Sequence, residues 1–284
     1  MRLGIGLPAA VPGTDMTELG RWAAEAEEAG FASVGVIDRL IYDNLDPLTA
    51  LSAAAACTSQ IELTSSVINV CWRNNPVLLA KQLASLARLS DGRVSAGLGM
   101  GGWPADYEAS NVPLKGRAAQ FEAALATMQS EWETADLSPR VLLGGTVPAS
   151  LARAAWPVSQ GWVAPLFGLD LLKDAAAALE RHWAEAERNG SPRIMTGRYF
   201  ALGSDADGVA DEYVEHYYGR DYFDFARADT LTDGEQIRAE LAQLQAAGVT
   251  DAVLFPCSGD LKQIELLADQ VADVLASRPA GTAA

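Results

Sequence analysis

Asp38 and Arg39, side by side after the short apolar run Ser33–Ile37, are the first residues of this chain whose types could do chemistry. A carboxylate there can accept a hydrogen bond from a ligand ring or hydroxyl, or it can end in a salt bridge or a helix cap. Arg39, and Arg73 after the next apolar run, can hold an anion through charge-assisted hydrogen bonds, or stand as surface charge. Gly97, Gly99 and Gly102 satisfy G-x-G-x-x-G and enclose Met100 and Gly101. Main chain without Cβ atoms lets a flat ligand come close, although glycines also simply close turns. The pattern marks a dinucleotide site only when it opens a helix in the first β-α-β unit. Here it comes late and runs into Trp103-Pro104. Gly144-Gly145-Thr146, just before Pro148, is an anion cradle if its N–H groups and the following helix dipole point together, and a plain strand-to-helix turn otherwise. His216 opens an aromatic stretch with Tyr217 and Tyr218 that continues to Phe225. That stretch reads as a lid over an apolar ligand, or as an ordinary packed loop or oligomer contact.

The chain has no G-x-x-x-x-G-K-[ST], H-E-x-x-H or G-x-S-x-G. Its two histidines, His182 and His216, have no nearby ligand partners in sequence, so no metal site is expected. With so few nucleophiles, the demanding chemistry has to come from a cofactor. A net charge of −16 argues against nucleic acid, whose affinity comes from Lys and Arg at phosphates. The three cysteines, Cys57, Cys71 and Cys257, are odd in number and widely spaced, which reads as reduced and cytoplasmic. No spanning apolar run and no signal-peptide pattern stand out, so no membrane partner is expected.

The elements that must position these residues alternate. Strands are expected at Leu3–Leu7, Ser33–Ile37, Ile61–Val67, Arg93–Leu98, Val141–Leu143, Gly161–Ala164, Ile194–Leu202 and Ala252–Phe255. Helical spacing fills the intervals, as with Leu19, Trp22, Ala23 and Ala26 before Gly30. Eight short strands alternating with helices mean a parallel sheet. In a chain of 284 residues the simplest closure is a single (β/α)8 TIM barrel, with a doubly wound open sheet as the alternative. Either way, ligands sit at the C-terminal strand ends, where Asp38, Arg39, the Gly97–Gly102 turn and Gly144-Gly145-Thr146 fall, whereas His182 and His216 lie on expected helices. The barrel is expected to span residues 1–276 and to leave a disordered tail at 277–284.

Several stretches together resemble the bacterial luciferase-like family of flavin- and deazaflavin-dependent oxidoreductases. They are Leu3-Gly-Ile-Gly-Leu-Pro8, Ala26–Ile37 running into Asp38-Arg39-Leu40, Asp46-Pro-Leu-Thr-Ala-Leu51, Leu63–Val67 leading to Arg73-Asn-Asn-Pro76, Leu79–Arg93, Gly97–Trp103, Leu143-Gly-Gly145 and Ala246–Leu254. The match covers most of residues 1–145 and the last fifty or so, with the block around the third and fourth strands the most specific. Residues 166–225 match poorly, and the insertion that often covers the site in this family is reduced.

The resemblance implies a TIM barrel that binds coenzyme F420 or FMN at its C-terminal mouth. It implies a non-proline cis peptide at Ser66–Val67 behind the ring and Asp38 near its polar edge. Gly99, Met100 and Gly101 would lie along the cofactor, with Gly144, Gly145 and Thr146 near its phosphate-bearing tail. Arg39, Trp72, Trp103, Tyr217 and Tyr218 are expected on the substrate side, and Asp38 and His216 are the catalytic candidates. The deazaflavin-dependent sugar-phosphate dehydrogenases carry a histidine where this chain has Arg39, and luciferase uses a histidine not found here. The Asp-Arg-Leu form is more similar to the actinobacterial deazaflavin branch, which ranks F420 above FMN. The expected function is hydride transfer between that cofactor and a small apolar or conjugated organic substrate, or monooxygenation with FMN, in a homodimer. A non-catalytic flavin-binding barrel and a cofactor-independent lyase or hydrolase are the alternatives.

Overall fold

A computed structural model of the chain describes residues 1–135, 138–146 and 148–276; the segment 277–284, expected to be a disordered tail, lies outside the described residues. Nine strand segments run parallel: β1 (Arg2–Gly6), β2 (Ser33–Val36), β3 (Glu62–Ser65), β4 (Ile68–Asn69), β5 (Val94–Gly99), β6 (Arg140–Gly144), β7 (Gly161–Val163), β8 (Arg193–Phe200) and β9 (Asp251–Pro256). Their order is β3-β2-β1-β9-β8-β7-β6-β5-β4, and β3 also pairs β5 through Leu63 with Val94 and Thr64 with Ser95. That pairing closes the sheet. β3 and β4 are two pieces of one barrel position, so the nine segments fill eight places of a (β/α)8 barrel.

The break in this position differs from the continuous strand expected over Ile61–Val67. The chain leaves the ladder at Ser66–Val67, whose peptide is cis, and rejoins β5 with Ile68 opposite Leu98 and Asn69 opposite Gly99. A bulge of this kind re-aims a side chain. Here it places Val67 against β5 and β6: a Cβ added at Gly99 would stand 2.5 Å from Val67 Cγ2, and one at Gly144 2.9 Å from Val67 Cγ1.

The helices are α1 (Leu19–Glu28), α2 (Pro47–Cys57), α3 (Pro76–Leu89), α4 (Pro104–Ala109), α5 (Arg117–Ala135) and α6 (Pro148–Ala154). After these come α7 (Leu169–Glu185), α8 (Ala206–Tyr218), α9 (Phe223–Ala228), α10 (Gly234–Ala246), α11 (Lys262–Gln270) and α12 (Ala272–Ala276). Local chemistry sets where several begin. Asp46 accepts from the backbone N–H groups of Leu48 and Thr49, and Asn75 from that of Leu78, each just before a proline at the first helical position. α1 buries Leu19, Trp22, Ala23 and Ala26, the face its spacing predicts.

Two expectations need correction. Trp103-Pro104 does open a helix, the six-residue α4, because Pro104 occupies its first turn. The stretch Tyr217–Phe225 is not a loop. α8 runs through Tyr218, a 3-10 turn covers Arg220–Tyr222, and α9 begins at Phe223. The reason is amphipathic packing: Ala206, Ala210, Tyr213, Val214 and Tyr217 form the buried face of α8, and this face continues past His216.

The lumen is filled from β9. The Phe255 ring lies against β1, β2 and β8 at Gly6, Gly35 and Gly197, where a Cβ at Gly197 would stand 2.7 Å from Phe255 Cε2. At the N-terminal strand ends, Glu62 pairs with Arg2 (2.7 Å) and Arg193 (3.0 Å), and Asp251 with Arg193 (2.7 Å) and Arg2 (3.3 Å). Burial pushes the Glu62 carboxyl up, but Arg193 and Arg2 outweigh it and bring the pKa to about 2. Charges at this end of a barrel serve stability, leaving the opposite mouth for ligands.

Candidate functional site

At the C-terminal mouth, the turn after β2 delivers Asp38 inward, 5% exposed. Its Oδ2 accepts from the Asn69 backbone N–H at 2.8 Å, and Arg73 Nη2 donates to both oxygens at 3.2 Å. Asn69 answers with Nδ2 to the Asp38 carbonyl at 2.9 Å. The four bonds tie the end of β2 to β4, directly after Ser66–Val67, and to the 3-10 turn Cys71–Arg73 that follows it. Burial raises the Asp38 pKa to about 6, against the lowering by Arg73 and the Asn69 N–H. Desolvation of a carboxylate this deep exceeds what one guanidinium at 3.2 Å and one amide return. Arg73 also reaches Asp46 at 3.3 Å, so the N-cap of α2 shares the cluster.

Arg39 turns the other way. Its Nε donates to Asp106 Oδ2 at 3.2 Å, and its guanidinium stacks over the Trp103 ring at 3.8 Å, with Tyr217 and Tyr42 at 5.5 and 5.6 Å. Asp106, fully buried on α4, also accepts the Ile41 N–H at 2.9 Å. The short helix therefore fixes the turn that carries Arg39.

Tyr217 and Tyr218 reach the same place from α8. Their rings lie 6.3 and 6.2 Å from Trp103, and the Tyr218 hydroxyl meets that of Tyr199, on β8, at 3.0 Å. Burial drives the hydroxyls of Tyr199, Tyr217 and Tyr218 above the usual phenol range, so they are protonated donors at neutral pH. Val67, Trp103, Phe167, Phe255 and these tyrosines form one cluster above the lumen.

The remaining candidates divide. Gly99 and Gly144 flank Val67. The Met100 carbonyl accepts from the Tyr107 hydroxyl, and Gly101, at φ 79°, lies against Asn69. The Gly145 carbonyl accepts Trp162 Nε1 at 2.8 Å, with Ser150 packed against its Cα; Thr146 is exposed. Trp72 does not join Trp103 and the tyrosines: it packs in the main core, with Arg73 stacked on it at 4.7 Å. His216 is exposed on the last turn of α8, its Nδ1 2.7 Å from the Tyr42 hydroxyl.

Sequence reasoning missed Asn69, Asp106, Tyr199 and Phe255 as builders of this end. Proline at a first helical position was the available signal for Asp106, because it announces α4. Nothing local marks the other three, whose partners lie 19 to more than 200 positions away in sequence.

Buried polar atoms also stand open here: among the described residues, Ser66 Oγ and Arg73 Nε have no hydrogen-bond partner. An unpaired buried polar group is destabilising unless a ligand or water completes it. An isopropyl floor on glycine-bared strands, flanked by a neutralised acid and unsatisfied donors, suits a planar ring with a polar edge.

A family model described as luciferase-like monooxygenase matches residues 1–275. An uncharacterised protein of Mycobacterium tuberculosis is 30% identical over 173 residues, 53% of this chain and 60% of its own length. The chain thus spans about 60% of the curated relatives it first matches. An F420-dependent secondary alcohol dehydrogenase, solved with an F420–acetone adduct, superposes with a TM-score of 0.79 at 17% identity over 96% of this chain and 98% of that one. The FMN-bound oxygenating constituent of 3,6-diketocamphane monooxygenase from Pseudomonas putida superposes with a TM-score of 0.73 at 16% identity, again over 96% and 98%.

Proposed function

The chain belongs to the luciferase-like monooxygenase family, and from that membership we propose that it is an oxidoreductase whose barrel mouth binds coenzyme F420, or FMN in its place, and acts on a small conjugated organic molecule. The observation that carries the reading is the convergence of Asp38, Ser66–Val67, Gly99 and Gly144 on one floor, with buried donors left unsatisfied around it. The Asp38-Arg39-Leu40 form supports F420 as first choice. When bound, the cofactor supplies hydride transfer or, with FMN, oxygen activation.

The chain's own residues hold and shape. Val67 backs the ring, Asp38 and Asn69 hold the bulge in place, and Gly99, Met100 and Gly101 line one side. Gly144, Gly145 and Thr146 receive the tail. Tyr217, Tyr218, Trp103 and Arg39 exclude water and orient the substrate. His216, hydrogen-bonded to Tyr42 at the rim, is, with Asp38, a catalytic candidate. The mouth's aromatic lining supports a conjugated substrate, and three free cysteines support a reducing, cytoplasmic compartment. No helix among the described residues is long and apolar enough to cross a membrane. A homodimer remains the expected assembly.

The test is to identify any coloured molecule released from the purified chain on denaturation, then to titrate it with FMN and F420 and follow reoxidation by candidate acceptors. Binding of one of the two with reoxidation by an organic acceptor or oxygen is the expected result. Binding without reoxidation makes the chain a cofactor-holding barrel. Binding of neither overturns the reading.

A further inference from the structure

Arg39 is a buried guanidinium whose working edge has no acid. Its side chain is 8% exposed, and its one carboxylate partner among the described residues, Asp106, takes Nε. The other buried arginines near this end are committed more fully. Arg73 turns its amino groups to Asp38 and Asp46; Arg198 gives Nε to Glu240 and Nη1 to the carbonyls of Leu166 and Gly197. Arg153 gives Nη1 to Glu122 and Nη2 to Ser150.

The Arg39 guanidinium instead lies among aromatic residues, with Trp103 beneath and the Tyr42 and Tyr217 rings beside it, and the neutral Tyr217 hydroxyl is its further hydrogen-bonding neighbour. Tyr217, its hydroxyl pushed up by burial and only partly brought back by Arg39, cannot serve as the missing anion. A guanidinium presents its donors as a planar fork that matches a carboxylate, and stacking on Trp103 fixes the plane of that fork. Nε holds the Asp106 carboxylate while the tyrosine at the other edge is neutral, so that edge of the fork suits an anion brought by a ligand.

We propose that Arg39 selects the substrate by charge: a planar conjugated molecule carrying a carboxylate, which takes the two Arg39 amino groups while its π-system lies among Trp103, Tyr217 and Tyr218. The assignment rests on the reading of the mouth as a redox site. Arg39 is a specificity-determining residue in it, and a neutral amide of the same shape leaves the fork unpaired. Asp106 anchors Arg39 through Nε and keeps its amino edge turned to the mouth.

The experiment is calorimetric titration of the full chain, first with FMN and with F420, then, with the bound cofactor saturating, with benzoate, cinnamate and 2-naphthoate against their primary amides. The wild type is expected to prefer at least one carboxylate over its amide by roughly tenfold or more. Arg39→Met should abolish that preference, Arg39→Lys should restore part of it, and neither should alter cofactor affinity appreciably. Because Arg39→Met leaves Asp106 buried and unpaired, the double variant Arg39→Met/Asp106→Asn is run beside it, with thermal unfolding followed by circular dichroism. If neither cofactor binds, the redox reading fails and this assignment with it. If a cofactor binds but no carboxylate is preferred, or the preference survives in the folded double variant, Arg39 is not a charge selector. If cofactor affinity drops as far as carboxylate affinity, the anion belongs to the cofactor and the substrate assignment is overturned.

Discussion

Replacing Asp38 by Asn tests whether burial or the ion pair controls this carboxyl. In the folded chain it titrates at about 6 rather than at its ordinary 3.8, so the protonated form is the one that folding favours. The stability contributed by this group is full below 3.8 and is lost as pH rises through about 6. The interval corresponds to about 3 kcal/mol, of which roughly 2 kcal/mol falls between about pH 4 and about pH 8. Asparagine keeps the volume and an acceptor for the Asn69 N–H, but it does not titrate. Every other group is common to both proteins, so the difference between their stabilities isolates Asp38. Asp38→Asn should lie close to the wild type at low pH, where Asp38 is protonated and carries no charge to pair with Arg73, and should gain on it by roughly 2 kcal/mol as pH rises to about 8. Urea unfolding of both proteins at several pH values measures this directly. A difference that stays constant, or grows against the variant as pH rises, would show that Arg73 and Asn69 outweigh desolvation and would refute the account of the site.

Gly144→Ala should destabilise the chain by roughly 1–3 kcal/mol through overpacking against Val67, and Val67→Ala in the same chain should restore most of it, measured by urea unfolding. Phe255→Ala should cost roughly 3–5 kcal/mol, because Gly6, Gly35 and Gly197 offer nothing to fill the lumen once the ring is gone; thermal unfolding reads this. Glu62→Gln should cost roughly 3 kcal/mol at neutral pH, since Arg2 and Arg193 lose a shared partner. With its pKa lowered to about 2, Glu62 contributes stability above 4.5 that disappears as pH falls through about 2. The wild type and Glu62→Gln should therefore converge in acid unfolding, and parallel curves would count against the network.

The alternation of strands and helices was legible in the amino-acid order because periodicity, caps and prolines act over a few residues. Asp46-Pro47 and Asn75-Pro76 each set a capping side chain before a proline at a helix start, and Gly30 closes α1's segment. The position of Asp38 and Arg39 at a strand end was legible for the same reason. Their divergence was not: Asp38 goes to Asn69 and Arg73, and Arg39 to Asp106 and Trp103, and no local pattern states which neighbour a side chain will find across a barrel. Tyr217 and Tyr218 looked like loop residues because aromatic density masked helical spacing, and only packing of α8 over the mouth put Tyr217 on its buried face with Tyr218 half-buried beside it. The glycines show the division most clearly. Their chemical permissiveness is written in the chain, but the groups that occupy the space they leave, Val67 at Gly99 and Gly144 and Phe255 at Gly6, Gly35 and Gly197, are brought there by closure of the sheet. Backbone preferences are local and can be read in order, whereas volume in a lumen is shared among strands far apart in sequence and is settled only when they meet.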